Sequence, residues 1–260
     1  HLRDHGQPKI FIFQNEAELI GSLIRRWREM VLQAVQERGS FTVALSGGKT
    51  PVLFYAELAW QEDLPWGKTH VFLVDERFVP FNHRDSNYRL LVKTFLEKVK
   101  IPGENIHSIP VQEASAETAA RRYEEDVMKS FRISLPGQWP EFDLVLLGIG
   151  EDGHTASLFP EHPALQETDR LAVAVILDEA RHDRITLTLP VLNHALGVFF
   201  LGTGKNKAAM LARILEGRGE ALPASRVRPK SGNLFFWLDR EASSELVPAL
   251  RLPAGMKGPH

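Results

Sequence analysis

The chain contains no cysteine. Disulfides, thiolate metal centres and a thiol nucleophile are therefore excluded. No apolar run approaches the roughly 18–20 residues that a membrane span needs. Charge of one sign is not in excess either: 31 Lys and Arg stand against 33 Asp and Glu, a formal net charge of −2. Both signs are spread along the chain, which argues against a nucleic-acid or anionic-membrane surface. A small anionic ligand needs only a local cluster of bases. There is no internal repeat and no low-complexity segment. His1 to Pro8 is polar and lacks the hydrophobic region of a signal peptide. Together with the absence of disulfides this fits a cytoplasmic protein.

What is present is a globular composition, 43% hydrophobic and 25% charged over 260 residues. That length can bury a substantial core. The expected organisation is a disordered lead-in over 1–8, a single α/β domain over 9–247, and a flexible Pro- and Gly-bearing tail over 248–260.

Lys9 to Phe13 reads as a strand. A helix follows over Glu16 to Arg38, with Leu19, Leu23, Trp27, Met30, Val31 and Ala34 at helical spacing and Gly39 as its stop. Phe41 to Leu45 is a second strand. It runs into Ser46-Gly47-Gly48-Lys49-Thr50-Pro51 and a helical pattern from Val52 to Ala59. Strand, Gly-rich turn and helix together point backbone N–H groups at an anion. Pro51 suits the first helical turn, and Thr50 is a candidate cap. The loop is not a Walker A motif, because Val43 stands where a glycine is required. Nor is it a nucleophile elbow, because Ala44 stands where G-x-S-x-G needs its first glycine.

His70 to Val74 is a third strand and ends in Asp75-Glu76-Arg77, an acid pair and a base that read either as part of a site or as a surface ion pair. Asn82 to Asn87 is a polar loop, Tyr88 to Val99 a helix, and Ala114 to Phe131 a charged amphipathic helix. Phe142 to Leu147 is an apolar strand. It opens into Gly148-Ile149-Gly150-Glu151-Asp152-Gly153-His154-Thr155-Ala156-Ser157-Leu158-Phe159-Pro160. This formally matches G-x-G-x-x-G. However, Pro160 and Pro163 break the helix that a dinucleotide fingerprint should open, so the glycines serve instead to expose an acid and an imidazole at a strand's carboxyl end. No H-E-x-x-H or other zinc-ligand spacing is present. Strands follow at Leu171 to Leu177, Arg184 to Leu189 and Gly197 to Gly202. The last runs into Gly202-Thr203-Gly204-Lys205-Asn206-Lys207 and a helix over Ala208 to Leu215. A lysine in a first helical turn opposes the dipole, so Lys207 reads as an anion ligand or as a plain surface lysine. Gly232 to Leu238 is the last strand and Asp239 to Leu246 a short helix. The alternation predicts a mostly parallel, Rossmann-like sheet flanked by helices, with a smaller C-terminal β-containing part.

The stretches Ser46 to Pro51, Asp75 to Arg77, Gly148 to Pro160, Arg184 to Thr188 and Gly204 to Ala208 resemble the 6-phosphogluconolactonase family in content, order and separation, across about residues 9–247. The related glucosamine-6-phosphate deaminases share the first loop, but their central motif reads D-G-H-I-A-F-N-E-P. Phe159 stands where that motif has its glutamate, which favours the lactonase. The resemblance implies an isomerase/deaminase-like α/β fold and hydrolysis of 6-phospho-D-glucono-1,5-lactone to 6-phosphogluconate, the second step of the oxidative pentose phosphate pathway, with no metal and no cofactor. It implies His154 as the general base on water, oriented by Asp152, with Asp75 as a further support. A phosphate would then be held by Ser46, Gly47, Gly48, Arg184 and Lys207, with Thr50 beside them and Asp75 and Arg77 as further substrate contacts. Lys49 departs from the small hydroxyl residue often found at its position. The partner implied is a small phosphorylated sugar lactone, and the chain is expected to be a monomer or weak homodimer. The alternatives are a deaminase-like enzyme and a non-catalytic sugar-phosphate-binding regulator.

Overall fold

Buried apolar strands that alternate with amphipathic helices require a parallel sheet covered on both faces. The computed structural model of the chain, which describes residues 7–251, has that arrangement. Strands β1 (Lys9–Phe13), β2 (Phe41–Leu45), β3 (Thr69–Leu73), β5 (Ile106–His107), β6 (Leu144–Leu147), β9 (Val198–Gly202) and β10 (Leu234–Asp239) form one parallel sheet in the order β1-β10-β9-β6-β2-β3-β5. Every residue of β6 and β9 is buried, as expected of strands with both faces covered. Strands β4 (Asp75–Arg77), β7 (Ala172–Val175) and β8 (Arg184–Leu187) make a separate antiparallel sheet in the order β4-β8-β7. This is the smaller β-containing part. It lies mid-chain rather than C-terminally, because β9 and β10 complete the main sheet. Among the described residues, no helix is long and apolar enough to cross a membrane. Most of the expected lead-in and tail, residues 1–6 and 252–260, lies outside the described residues.

Helix α1 (Glu16–Arg38) starts where the Asn15 side chain accepts the Glu18 N–H, and stops at Gly39, which adopts φ 82°. Its buried line of Leu19, Leu23, Trp27 and Val31 packs on the sheet, and Trp27 meets Phe41 and Phe54 edge-on. Trp27→Ala should lower stability by about 3–5 kcal/mol, read as a fall in the denaturant midpoint. Helix α4 (Ala116–Ser130) is capped by Ser115 and packs against β7 and β8.

Three expected elements differ. Helix α2 (Lys49–Leu58) begins three residues early, with Gly48 as its N-cap. The helix expected over 88–99 is α3 (Asn87–Leu91), capped by Ser86 and continued by a π-helical turn, Val92–Leu96. The helix expected over 239–246 is a series of turns. The Asp239 carboxylate there accepts from the Ala242 and Gly204 N–H groups, so it ties β10 to a second loop rather than starting a helix.

Strands β9, β6, β2 and β3 are adjacent. From β2 the chain proceeds outward through β3 to β5. From β6 it proceeds the opposite way, through β9 to β10. The loops leaving β2 and β6 therefore diverge and open a crevice at the carboxyl ends, the usual ligand position of such sheets.

Candidate active site

The crevice is a cleft of about 630 Å³. All four motif-bearing loops reach it, those after β2, β3, β6 and β9. After β2, Ser46 lines the cleft, but its hydroxyl donates to the Leu146 carbonyl at 2.7 Å and its own carbonyl accepts from Tyr55 at 2.6 Å. The Ser46 side chain is thus committed to joining β2 to β6, and only main chain is left for a ligand. Gly47, Gly48 and Lys49 follow. No side chain caps the start of α2, so its first N–H groups and the helix dipole are available to an anion. Lys49 is exposed at the cleft's edge.

Thr50 is not a cap. Its hydroxyl lies 2.7 Å from that of Thr203, which donates to Glu16 Oε2 at 3.0 Å. A hydroxyl has one proton. Thr203 gives its proton to the carboxylate, so Thr50 gives its own to Thr203 and presents an acceptor to the cleft.

After β3 the chain turns into β4, where alternate side chains face opposite ways. Asp75 and Arg77 line the cleft. Glu76 is fully buried and accepts from the backbone N–H groups of Arg77 (2.7 Å), Asn87 (2.8 Å) and Tyr88 (2.8 Å), fastening the start of α3. Burial pushes its carboxyl up, and those donors pull it partly back. The acid pair of the sequence is therefore one cleft residue and one structural residue. The Asp75 carboxylate accepts from the Ser157 hydroxyl at 2.6 Å and makes no hydrogen bond to His154, so the expected Asp75 support of the imidazole is not a contact.

Arg77 stands directly opposite Arg184 across β4 and β8. Burial, then the charge of Arg77, holds the Arg184 guanidinium below its usual range. Two like charges opposed on one sheet face are unfavourable by themselves and become favourable around an anion. Lys207, at the N-cap of α5 (Ala208–Leu215), reaches back over the cleft and donates Nζ to the Ile149 carbonyl at 2.7 Å.

After β6, the Asp152 carboxylate grips His154 twice. Its Oδ1 accepts the His154 backbone N–H at 3.0 Å and lies 2.5 Å from imidazole Nδ1. Burial works to raise the Asp152 pKa, but the backbone and ring donors of His154, then its charge, leave it below the usual carboxylate range. A carboxylate on Nδ1 sets the proton there and leaves Nε2 with a lone pair. Glycine is required at position 150 because a Cβ would fall 2.1 Å from His154 Nδ1. The ring also packs against Phe159, centroids 4.7 Å apart at a tilt of 39°, and Arg184 lies over the Phe159 ring at 5.8 Å. Ala156 adopts φ 52°, a conformation costly for a residue with a Cβ. That bend lies between His154 in the cleft and Ser157 on Asp75.

Among the described residues, one group of potential metal-ligand atoms converges: His83, Asp85 and His182, within 4.8 Å of one another. The ring nitrogens that face Asp85 are engaged by it. His182 Nε2 meets Asp85 at 3.1 Å, and His83 Nδ1 accepts the Asp85 N–H at 3.1 Å. The group does not include His154.

Asn87, Thr203 and Glu16 line the cleft without having been singled out from the sequence. For Asn87 the available signal was Ser86, a helix N-cap residue type immediately before it. Glu16 and Thr203 are 187 residues apart and carry no local signal.

The sequence profile of the family described as glucosamine-6-phosphate isomerases/6-phosphogluconolactonase matches residues 14–236. A 6-phosphogluconolactonase of Synechocystis sp. is 40% identical over 243 residues, 93% of this chain and 99% of that protein. One of Nostoc sp. is 41% identical over 231 residues, 86% and 94% of the two chains. The crystal structure of the 6-phosphogluconolactonase from Thermotoga maritima superimposes with a TM-score of 0.79 at 30% identity, over 90% of this chain and 100% of that one.

Proposed function

The chain belongs to the family of glucosamine-6-phosphate isomerases and 6-phosphogluconolactonases, and on that premise we propose that it hydrolyses 6-phospho-D-glucono-1,5-lactone to 6-phosphogluconate. The observation that carries this reading is Phe159 packed against His154, ring centroids 4.7 Å apart and tilted by 39°. The deaminase motif has a glutamate there, and an isomerising proton relay would draw on it. Here an apolar ring covers the imidazole, leaving a histidine–aspartate pair suited to activating water.

A δ-lactone is an activated ester. His154 Nε2 takes a proton from water as the oxygen attacks the C1 carbonyl. The imidazolium that forms is stabilised by Asp152 at 2.5 Å. The tetrahedral oxyanion collapses, the bond from C1 to the ring oxygen breaks, and that oxygen takes the proton back from Nε2. The product acid then releases a proton to solvent. The phosphate lies toward the N-terminus of α2, with Arg77, Arg184 and Lys207 supplying charge. The ring hydroxyls supply donors for the acceptor that Thr50 presents.

Lys207→Ala or Arg184→Ala should raise KM for the phosphorylated lactone by on the order of 10-fold or more, with less effect on unphosphorylated gluconolactone. Equal losses on the two substrates would remove both residues from the phosphate site. The reading as a whole is tested by lactone-dependent proton release in a pH-stat, corrected for spontaneous hydrolysis, beside ammonia release from glucosamine 6-phosphate. Proton release alone is expected. Ammonia release would assign the chain to the deaminases, and neither product would make it a binding protein.

A further inference from the structure

We propose that Asn87 is the positioning residue that aims Arg77 into the cleft and makes glycine obligatory at position 47, an inference that rests on the phosphate site of the reading above. Asn87 opens α3 and is buried. Its Oδ1 accepts from Arg77 Nη1 at 2.7 Å, and its Nδ2 donates to the Asp75 carbonyl at 3.0 Å. Its backbone N–H is separately fixed on Glu76 at 2.8 Å. The amide is thus held at both ends and from behind.

Arg77 requires such a hold, because it faces Arg184 across the strand pair and the two charges repel. Nη1 is tied to the Asp85 carbonyl at 3.1 Å and to the Asn87 amide oxygen, and neither partner carries charge. The guanidinium is therefore located without being neutralised, and its full charge stays available to an anion. A carboxylate at position 87 would also hold Arg77 but would cancel it. Arg77 Nε is buried with no protein acceptor, so the two Nη1 bonds are what fix the guanidinium. The same amide sets the glycine loop. A Cβ on Gly47 would lie 2.1 Å from Asn87 Oδ1 and 2.7 Å from its Cγ, and an amide bonded at both ends cannot give way. One side chain therefore registers the loop after β2 against the arginine of β4.

The test uses the full chain. Asn87→Ala should raise KM for the phosphorylated lactone about 10-fold or more, with a much smaller effect on unphosphorylated gluconolactone. Added to Arg77→Ala, it should cost no more than about a further twofold, because the two residues act as one unit. Gly47→Ala should raise KM further, and Asn87→Ala placed in that background should recover part of the loss. Asn87→Asp keeps size and acceptor but adds charge, and should also weaken inorganic phosphate binding in calorimetry by about 10-fold. Calorimetry reads the Asn87–Arg77 coupling without turnover, so the inference survives a chain that binds phosphate but hydrolyses no lactone. Equal losses on both lactones, additive effects of Asn87→Ala and Arg77→Ala, or phosphate affinity unchanged in Asn87→Ala or Asn87→Asp would overturn it.

Discussion

His154→Ala should cut kcat on the phosphorylated lactone by on the order of 10²–10⁴-fold, about 2.7–5.5 kcal/mol of barrier, with little change in affinity for 6-phosphogluconate. The residue sits where one group can serve both proton transfers. Its Nδ1 is engaged by Asp152 at 2.5 Å, and the ring borders the cleft that Arg77 and Arg184 also line. The alanine variant loses the base, while the N-terminus of α2 and the cationic side chains remain. Binding is thereby separated from turnover. Steady-state kinetics in the pH-stat, with the spontaneous rate subtracted, give kcat, and calorimetry gives product affinity. A variant that keeps more than about a tenth of wild-type kcat would take His154 out of the mechanism. A variant that loses product binding to the same degree as turnover would make it a binding residue instead.

Gly150→Ala should be nearly as damaging, lowering kcat by on the order of 10²-fold, although no reacting group is removed. A Cβ there would lie 2.1 Å from His154 Nδ1, 2.2 Å from Cε1 and 2.8 Å from Asp152 Oδ1. The ring is confined, because Phe159 packs against it and Asp152 holds its nitrogen. It must rotate out of line with the bound lactone. Gly150 is not among the glycines at positive φ, so its backbone accepts alanine and the fold should survive. The checks are kcat, an unchanged thermal midpoint, and a crystal structure showing the imidazole displaced. Near-wild-type turnover would show that the observed pose of His154 is not the working one.

The three glycines of that turn show how far sequence reading reaches. A Gly-rich strand exit ahead of an acid and a histidine marks a site, and the site is there. Why each glycine is needed differs. A Cβ on Gly148 would meet nothing within 4 Å, one on Gly150 would strike the imidazole, and Gly153 adopts φ 83° against Leu222. Local spacing cannot separate these cases, because the colliding atoms depend on how the turn folds back on itself.

The same division holds elsewhere. Both ends of α1 were legible, because Asn15 and Gly39 act on their own helix. The partners of the Ser46 and Thr50 hydroxyls were not legible, because Leu146 and Thr203 lie 100 and 153 residues away. Asp75 and Glu76 look equivalent in a row of letters, yet a strand sends neighbouring side chains to opposite faces, and only one of them reaches the cleft.

Local chemistry along the chain, then, determined the α/β class, most of the element boundaries and the presence of the site. Apolar periodicity, caps and Gly-rich strand exits act within a few residues, and the sequence carries them directly. The tertiary structure alone decided that β4 leaves the main sheet to pair with β8, which sets Arg77 against Arg184. It also decided that Asn87 holds one of that pair and that Ser46 spends its hydroxyl on β6. Those outcomes depend on strand order and on which side chains the sheet brings within about 3 Å of each other, and separation along the chain says nothing about either.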